Sequence, residues 1–218
     1  MLFDALKMAE VDVDGAVREA AEATAGDTRA DFFRKAALSG GGLVAGGTML
    51  AALPEVAGAQ TSRDREILNF ALTLEYLEAE FYTQAIRGAG LSGDLLRLTR
   101  LVSNHENIHV TTLRRALGRR AVAKPRFDFK DTVTNAGKFL DTAIVLEDTG
   151  VAAYAGQGPR LQTRSVVEVA LSIHSVEARH AAAFRKIKGI PEAPRAFDRA
   201  LTMRQVLRAV AATGFIQS

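Results

Sequence analysis

The chain has 218 residues, 48% of them apolar, which is enough for one domain with a sizeable core and some chain beside it. Its formal charge of +3 is too small to argue for nucleic acid, and no Lys/Arg block is interleaved with aromatics. Cysteine is absent, which excludes disulfides, iron–sulfur clusters, Cys-ligated zinc and thiol catalysis.

The first sixty residues differ from the rest. Residues 1–35 carry 5 Lys/Arg and 8 Asp/Glu, and residues 1–28 suit a short amphipathic helix. Thr28-Arg29-Ala30-Asp31-Phe32-Phe33-Arg34-Lys35 leads into Ala36 to Pro54, a run with no charge and five Gly. Ala57-Gly58-Ala59 then gives a small-x-small cleavage pattern before Gln60. A basic edge, an apolar stretch and small residues make an export signal. The stretch resembles a twin-arginine signal, Ser/Thr-Arg-Arg-x-Phe-Leu-Lys, with Ala30 where the second arginine belongs. The expectation is a leader over 1–59 and a protein exported across the cytoplasmic membrane, to the cell envelope or beyond. An uncleaved Gly/Ala-rich anchor, touching a membrane through 36–54, is the alternative. No other charge-free run approaches the ~20 residues of a membrane span. Without the leader, Gln60–Ser218 carries 23 basic and 16 acidic residues, net +7.

Beyond Gln60 the chain reads as helices. Ile67, Phe70, Ala71, Leu74, Leu77, Phe81 and Ala85 recur at three and four, a helical stripe. Thr61 or Ser62 caps its start, and Gly88 to Gly93 ends it. Ser92 caps a second helix, with Leu95, Leu98, Leu101, Val102, Ile108, Val110 and Leu113, closed by Gly118. The connection from Arg119 to Lys130 holds Pro125 and two Phe, Phe127 and Phe129, that read as exposed. A third helix is predicted from about Asp131 to Tyr154, broken by Gly156-Gln157-Gly158-Pro159. The fourth starts near Thr163 and runs to about Lys188, ended by Gly189 and Pro191. A short fifth helix starts at Thr202, with Gln205 completing a capping box.

A repeat runs through the four long helices. Glu-x-x-His occurs at Glu106/His109 and Glu177/His180, and each copy follows a Glu that has a Tyr seven residues on, Glu75/Tyr82 and Glu147/Tyr154. Glu75 and Glu147 are 72 apart; Glu106 and Glu177, like His109 and His180, are 71 apart. The midpoint of Glu75 and Glu106 is 90.5, inside the Gly88–Gly93 turn, and that of Glu147 and Glu177 is 162, just past the Gly-Pro break. Residues equidistant from the turn of an antiparallel pair lie at one height. Each hairpin therefore brings its Glu level with its Glu-x-x-His. The dozen residues of the connection span roughly 40 Å at ~3.3 Å each, about a bundle length. Helices two and three then run parallel, the one-crossover arrangement. The fold class predicted is all-α: a four-helix bundle over 60–189 with one long crossover, a C-terminal extension over 190–218 with a short helix, and the N-terminal leader.

Glu at i and His at i+3 share a helix face, so both can bind one ion. A buried carboxylate without a cation is costly, and paired divalent metals remove that cost. Carboxylate with imidazole suits iron or manganese, and zinc also occupies such ligands. Two Glu can bridge both ions while one Glu and one His complete each side, leaving positions open to dioxygen or hydrogen peroxide.

On these residues the chain resembles the ferritin-like superfamily of di-iron carboxylate proteins, over roughly Gln60 to Gly189. It is most similar there to bacterial exported ferritin-like domain proteins, desiccation-related ones among them, through Leu68 to Tyr82 (LNFALTLEYLEAEFY) and Glu147 to Tyr154 (EDTGVAAY). The resemblance implies two Fe ions, with Mn the nearest alternative. It implies Glu75 and Glu147 as single-helix ligands, Glu106/His109 and Glu177/His180 as the others, and Glu106 and Glu177 as bridges. Tyr82 and Tyr154 would hydrogen-bond near the ligands. The expected chemistry is ferroxidase activity or peroxide scavenging, with a dimanganese catalase-like site next. Without Cys there is no built-in rubredoxin-type donor, so a peroxidase would use an outside reductant. The segment Ile190–Ser218 differs from a typical cage subunit, which favours a monomer or homodimer over a 24-subunit shell.

Other readings compete residue by residue. Glu78 lies one turn from Glu75 and could replace it, but in the repeat Glu78 maps to Gly150. His174 precedes Glu177 by three and could be a seventh ligand, though its counterpart is Ser103. Glu80 reads as a solvated face. His105-Glu106-Asn107-Ile108-His109 also spells the His-Glu-x-x-His helix of zinc metallopeptidases. That reading finds no Glu or His between His109 and Glu147 and leaves the second half of the repeat unexplained. A third reading is a non-catalytic bundle that protects other proteins on drying, with the metal site vestigial.

Export predicts a mature N-terminus at Gln60 outside the cytoplasm, detectable by N-terminal sequencing of cell fractions. Ala30→Arg should raise the exported share; an unchanged share would remove the twin-arginine reading.

Overall fold

The computed structural model describes residues 60–217; the leader expected over 1–59 lies outside the described residues. Helix dominates those residues, with irregular stretches in the connection before Ala136 and after Lys188. α1 spans Ser62–Gly88, α2 Gly93–Leu117, α3 Ala136–Gln157, α4 Arg164–Lys188 and α5 Met203–Thr213. A two-residue strand β1, Arg126–Phe127, pairs antiparallel with β2, Ile216–Gln217. No helix among the described residues is long and apolar enough to cross a membrane.

Side-chain capping fixes where α1, α3 and α5 begin, whereas Ser92 and Thr163, at the starts of α2 and α4, make no side-chain cap bond. Thr61 accepts from the Asp64 backbone N–H at 3.1 Å, and the Asp64 carboxylate accepts from the Thr61 N–H at 3.2 Å. Fully buried Asp64 also accepts from the Gln162 N–H at 2.8 Å and from the Thr163 hydroxyl at 2.6 Å. One carboxylate thus starts α1 and pins it to the start of α4. The Thr202/Gln205 capping box of α5 forms as predicted. Gly189 ends α4 in the left-handed conformation, φ 74°. The Ile190 N–H then returns to the Arg185 carbonyl and the Gly189 N–H to that of Lys186, a Schellman closure.

The predicted third helix shifts at both ends. Lys130–Val133 is a separate 3₁₀ turn. Asn135 takes an extended backbone, and its side chain accepts from the Lys138 N–H at 2.9 Å, so α3 starts at Ala136 rather than Asp131. At the other end α3 continues through Gly156 to Gln157. Gly156 does not break the helix. A Cβ there would lie 1.9 Å from the Leu201 carbonyl oxygen, so the glycine admits the C-terminal segment against α3. The Leu201 N–H donates to the Ala152 carbonyl at 3.0 Å, and Gln157 Nε2 to the Leu201 carbonyl at 3.2 Å.

The connection between α2 and α3 runs along α1. Asn69 donates to the Arg120 carbonyl and accepts from the Val122 N–H, at 3.1 and 2.8 Å. Lys124 pairs with Glu80 further along, which gives that acid a partner. Val133 reaches the far end of α1, its carbonyl oxygen 2.7 Å from where a Gly88 Cβ would stand. The chain has then crossed the bundle, and α2 and α3 run parallel. The two Phe expected to be exposed are not. Phe129 is 1% exposed and sits edge-on to Phe81 at 5.4 Å, and half-buried Phe127 stacks on Phe129. Strand pairing turns this segment inward: β1 hydrogen-bonds to β2, and Phe215 beside β2 packs edge-on against Phe129 at 5.3 Å.

The apolar interior has two clusters. One gathers Phe81, Tyr82, Phe129, Phe139 and Phe184 with Val206, Val210 and Phe215 of the C-terminal segment. The other gathers Leu72, Leu113, Leu117, Tyr154, Val166 and Ile173. Glu75, Glu106, Glu147 and Glu177 are fully buried between the same four helices.

Gly156→Ala should lower stability by about 1–3 kcal/mol through overpacking. It should also speed tryptic cleavage at Arg195 and Arg199 as the C-terminal segment loosens. Thermal melts and limited proteolysis test this; an unaltered melt would mean that the Leu201 contact is dispensable.

Candidate metal centre

Seven acidic and imidazole side chains meet midway along the bundle. α1 supplies Glu75 and Glu78, α2 Glu106 and His109, α3 Glu147, and α4 Glu177 and His180. Glu75, Glu106, Glu147 and Glu177 are fully buried; Glu78, His109 and His180 are nearly so. Apolar helix faces would ordinarily carry Leu or Ile at such positions, so five buried carboxylates need a stated compensation.

The imidazoles lie inside the carboxylates. His109 Nδ1 is 3.2 Å from Glu75 Oε2, 3.1 Å from Glu106 Oε2 and 3.1 Å from Glu177 Oε1. His180 Nδ1 is 3.2 Å from Glu147 Oε2, 3.1 Å from Glu106 Oε1 and 3.9 Å from Glu177 Oε2. Ligand atoms of Glu75, Glu106, His109 and Glu177 all lie within 4.8 Å of one another, as do those of Glu106, Glu147, Glu177 and His180. Glu106 and Glu177 belong to both sets. The cluster is two overlapping four-ligand groups with a shared pair of carboxylates.

The tyrosines bond crosswise. Tyr154 on α3 donates to Glu75 of α1 at 2.6 Å, and Tyr82 on α1 donates to Glu147 of α3. Each is seven residues from the Glu of its own helix but holds the Glu of the other, because α1 and α3 run antiparallel. Tyr82 is fixed in turn by stacking on Phe184 at 5.7 Å and edge contact with Phe139 at 6.0 Å.

A family model described as the ferritin-like domain matches residues 63–189. The chain belongs to the ferritin-like family. No curated protein matches the chain.

In this ferritin-like bundle the residues present fit a pair of metal ions. Glu177 Oε2 is buried with no donor within hydrogen-bond distance, and Glu106 Oε1 and Glu177 Oε1 are each buried against one imidazole Nδ1, of His180 and His109 at 3.1 Å, whose single proton also faces other carboxylates. These are oxygens of the two carboxylates common to both groups. Oxygen and imidazole donors suit iron, manganese or zinc, and four carboxylates balance the charge of two divalent ions. Glu75, Glu106, His109, Glu147, Glu177 and His180 are the residues that could hold them. Glu78 falls in neither group, yet it is buried beside them. A Cβ on Gly150 would stand 3.4 Å from both Glu78 Oε1 and Glu177 Oε2, so the glycine that replaces Glu78 in the repeat adjoins its carboxyl. His174 is also outside both groups; its Nδ1 is buried without a partner.

His105 has a role that spacing did not reveal. Its Nδ1 is 2.9 Å from His180 Nε2, and the rings stack at 5.2 Å. It holds the nitrogen of His180 that faces away from the carboxylates, the position from which an outer partner fixes ring orientation and tautomer. Among the described residues neither four-ligand group contains His105, so His105 and His109 do not converge there as a zinc-peptidase pair would. Position 176, where the repeat would put a second such histidine, is Val176.

Protonation follows from burial and neighbours. Burial pushes Glu75 up to about 7, with His109 opposing. Burial and the facing carboxylates of Glu177 and Glu147 push Glu78 well up; burial with Glu106 and Glu147 does the same to Glu177. Burial opposes a charged Glu106, but hydrogen bonds from His109 and His180 outweigh it and hold this carboxyl below the usual range. Burial also opposes charge on His180, yet Glu106 and Glu147 raise it to about 9.

These shifts set the pH dependence of the metal-free protein. Glu75 keeps its proton in the fold up to about 7 against an ordinary value of 4.5, and His180 up to about 9 against 6.5. Wherever the folded state holds more protons, stability falls as pH rises. The melting temperature in chelator should therefore fall between roughly pH 5 and 9. Glu106 acts oppositely and only below the ordinary glutamate value of 4.5. Metal binds the deprotonated ligands, so the gain in melting temperature on adding metal should grow with pH. A metal-free melt that climbs across this window would contradict the assignment.

Proposed function

We propose that this chain is a dinuclear metal protein of the ferritin-like family that carries out redox chemistry with dioxygen or hydrogen peroxide. The observation that carries the reading is the pair of four-ligand groups sharing Glu106 and Glu177. A single-ion site has no use for the second group, and a purely structural bundle has no use for buried carboxylate oxygens that outnumber the protons facing them. Iron is the ion proposed, manganese the alternative. Two such ions, when bound, supply a change of oxidation state and open positions for a small oxidant.

The chain's own residues prepare that chemistry. Glu75 with His109 forms one side, Glu147 with His180 the other, and Glu106 and Glu177 stand between them. Tyr154 and Tyr82 each hold one oxygen of Glu75 and Glu147, and the other oxygen faces His109 or His180. His105 orients His180 on one side, and His109 has no matching partner from the repeat, so the two positions are inequivalent. Full burial of the four glutamates excludes bulk water and limits access to small molecules such as dioxygen and hydrogen peroxide. Oxidant removal by an exported protein of this kind would serve stress protection. Electrons would come from an external donor.

Metal analysis of protein purified without air should give about two iron or manganese ions per chain. Glu106→Ala/Glu177→Ala should lose both while circular dichroism stays helical, and it should abolish ferrous-dependent peroxide consumption. Full metal retention in that variant would overturn the dinuclear site. Metal without peroxide or dioxygen turnover would leave a binding protein and remove the redox reading.

A further inference from the structure

A second concave site lies at the end of the bundle where α1 begins. A cleft of about 610 Å³ opens between the first turns of α1, the end of α3 and the outer face of α5. Arg63, Arg160, Arg204 and Arg208 surround it, against one carboxylate, Glu66, among the lining residues. None of these four guanidinium groups has a hydrogen-bond or ion-pair partner among the described residues. Elsewhere the bundle does pair its cations: Arg164 with Glu168, Arg185 with Asp148, Lys124 with Glu80 and Lys188 with Asp141. Four unpaired like charges around one concavity repel each other and focus a positive potential into it.

A second observation points to the same cleft. Gln157 lines it, is 3% exposed, and donates through Nε2 to the Leu201 carbonyl. Its Oε1 is buried with no donor. That amide oxygen is an unsatisfied acceptor on a residue that lines the cleft. Ile67, Met203 and Leu207 add apolar wall. Volume, a few aimed polar groups and apolar lining are the attributes of a small-molecule site.

We propose that this cleft binds an organic phosphate carrying a hydroxyl group. Guanidinium forks match phosphate oxygens, and a dianion with three peripheral oxygens answers four arginines better than a single carboxylate does. The hydroxyl donates to Gln157 Oε1, and the carbon body rests on Ile67 and Met203. A soluble phosphate ester and the headgroup of a hydroxylated phospholipid present this same chemistry. The site is independent of the metal centre.

The test is calorimetric titration of the full chain with glycerol 3-phosphate and with inorganic phosphate, alongside co-sedimentation with phosphatidylglycerol vesicles. Glycerol 3-phosphate should bind about tenfold more tightly than inorganic phosphate, and Gln157→Met should erase that preference. Arg63→Ser/Arg208→Ser, and separately Arg160→Ser/Arg204→Ser, should each weaken binding at least about tenfold with melting temperature and metal content unchanged. Arginine-dependent binding to vesicles alone would assign the phosphate to a lipid headgroup. Absence of binding to any of the three probes would overturn the proposal, as would affinities of both arginine variants within about twofold of the parent. Equal affinity for both phosphates would remove the hydroxyl contact.

Discussion

Four carboxylates buried at one height in a helical bundle are the constraint on which the rest of the structure depends. Glu75, Glu106, Glu147 and Glu177 are each fully excluded from solvent, and Glu78 nearly so. Ionised together they repel strongly, because little water screens them. Two imidazoles answer part of that charge. His109 and His180 each face three carboxylates, and Glu106 lies between both, which separates it from the others: it stays charged while Glu75, Glu78 and Glu177 are pushed towards the neutral form. Ions at the two overlapping groups would remove the remaining imbalance and supply partners for the under-satisfied oxygens of Glu106 and Glu177.

Such a cluster has to be held by contacts outside itself. The crosswise tyrosines tie α1 to α3 at the level of the site, and aromatic stacking around Phe81, Phe139 and Phe184 keeps Tyr82 in place. Asp64 fixes α1 against the start of α4 by satisfying donors from both. The crossover takes hydrogen bonds from Asn69 along α1, so the segment that makes the topology possible also covers the bundle's apolar flank. The C-terminal segment completes that cover through β2, Phe215 and the Gly156 contact, at the price of a position where only glycine fits.

Some features could be read residue by residue before any packing was known. Helix stripes, the Gly88–Gly93 turn, Gly118 and the Thr202/Gln205 box follow from local rules that act within a few residues. The errors fell where a distant contact overrides a local signal. Gly156 reads as a breaker, yet it sits inside α3 because Leu201 approaches it. Phe127 and Phe129 sit in a Pro-containing connection and read as exposed, yet the β1–β2 pairing turns that segment inward. His105 reads as half of a His-Glu-x-x-His string. Its partner is His180, 75 residues away.

The sequence alone determined that two Glu-x-x-His copies and two Glu-x6-Tyr copies stand at matching distances from their turns. Helix rise and antiparallel pairing convert equal sequence distance into equal height. Only the tertiary structure decided what those residues touch. Side-chain convergence depends on which helices are neighbours and how they are rotated, and neither is a property of spacing. That is why the tyrosines serve the opposite helix and why Glu106 and Glu177 belong to both groups. It is also why one imidazole gained an outer partner, and why four arginines from α1, α3's end and α5 surround a single cleft.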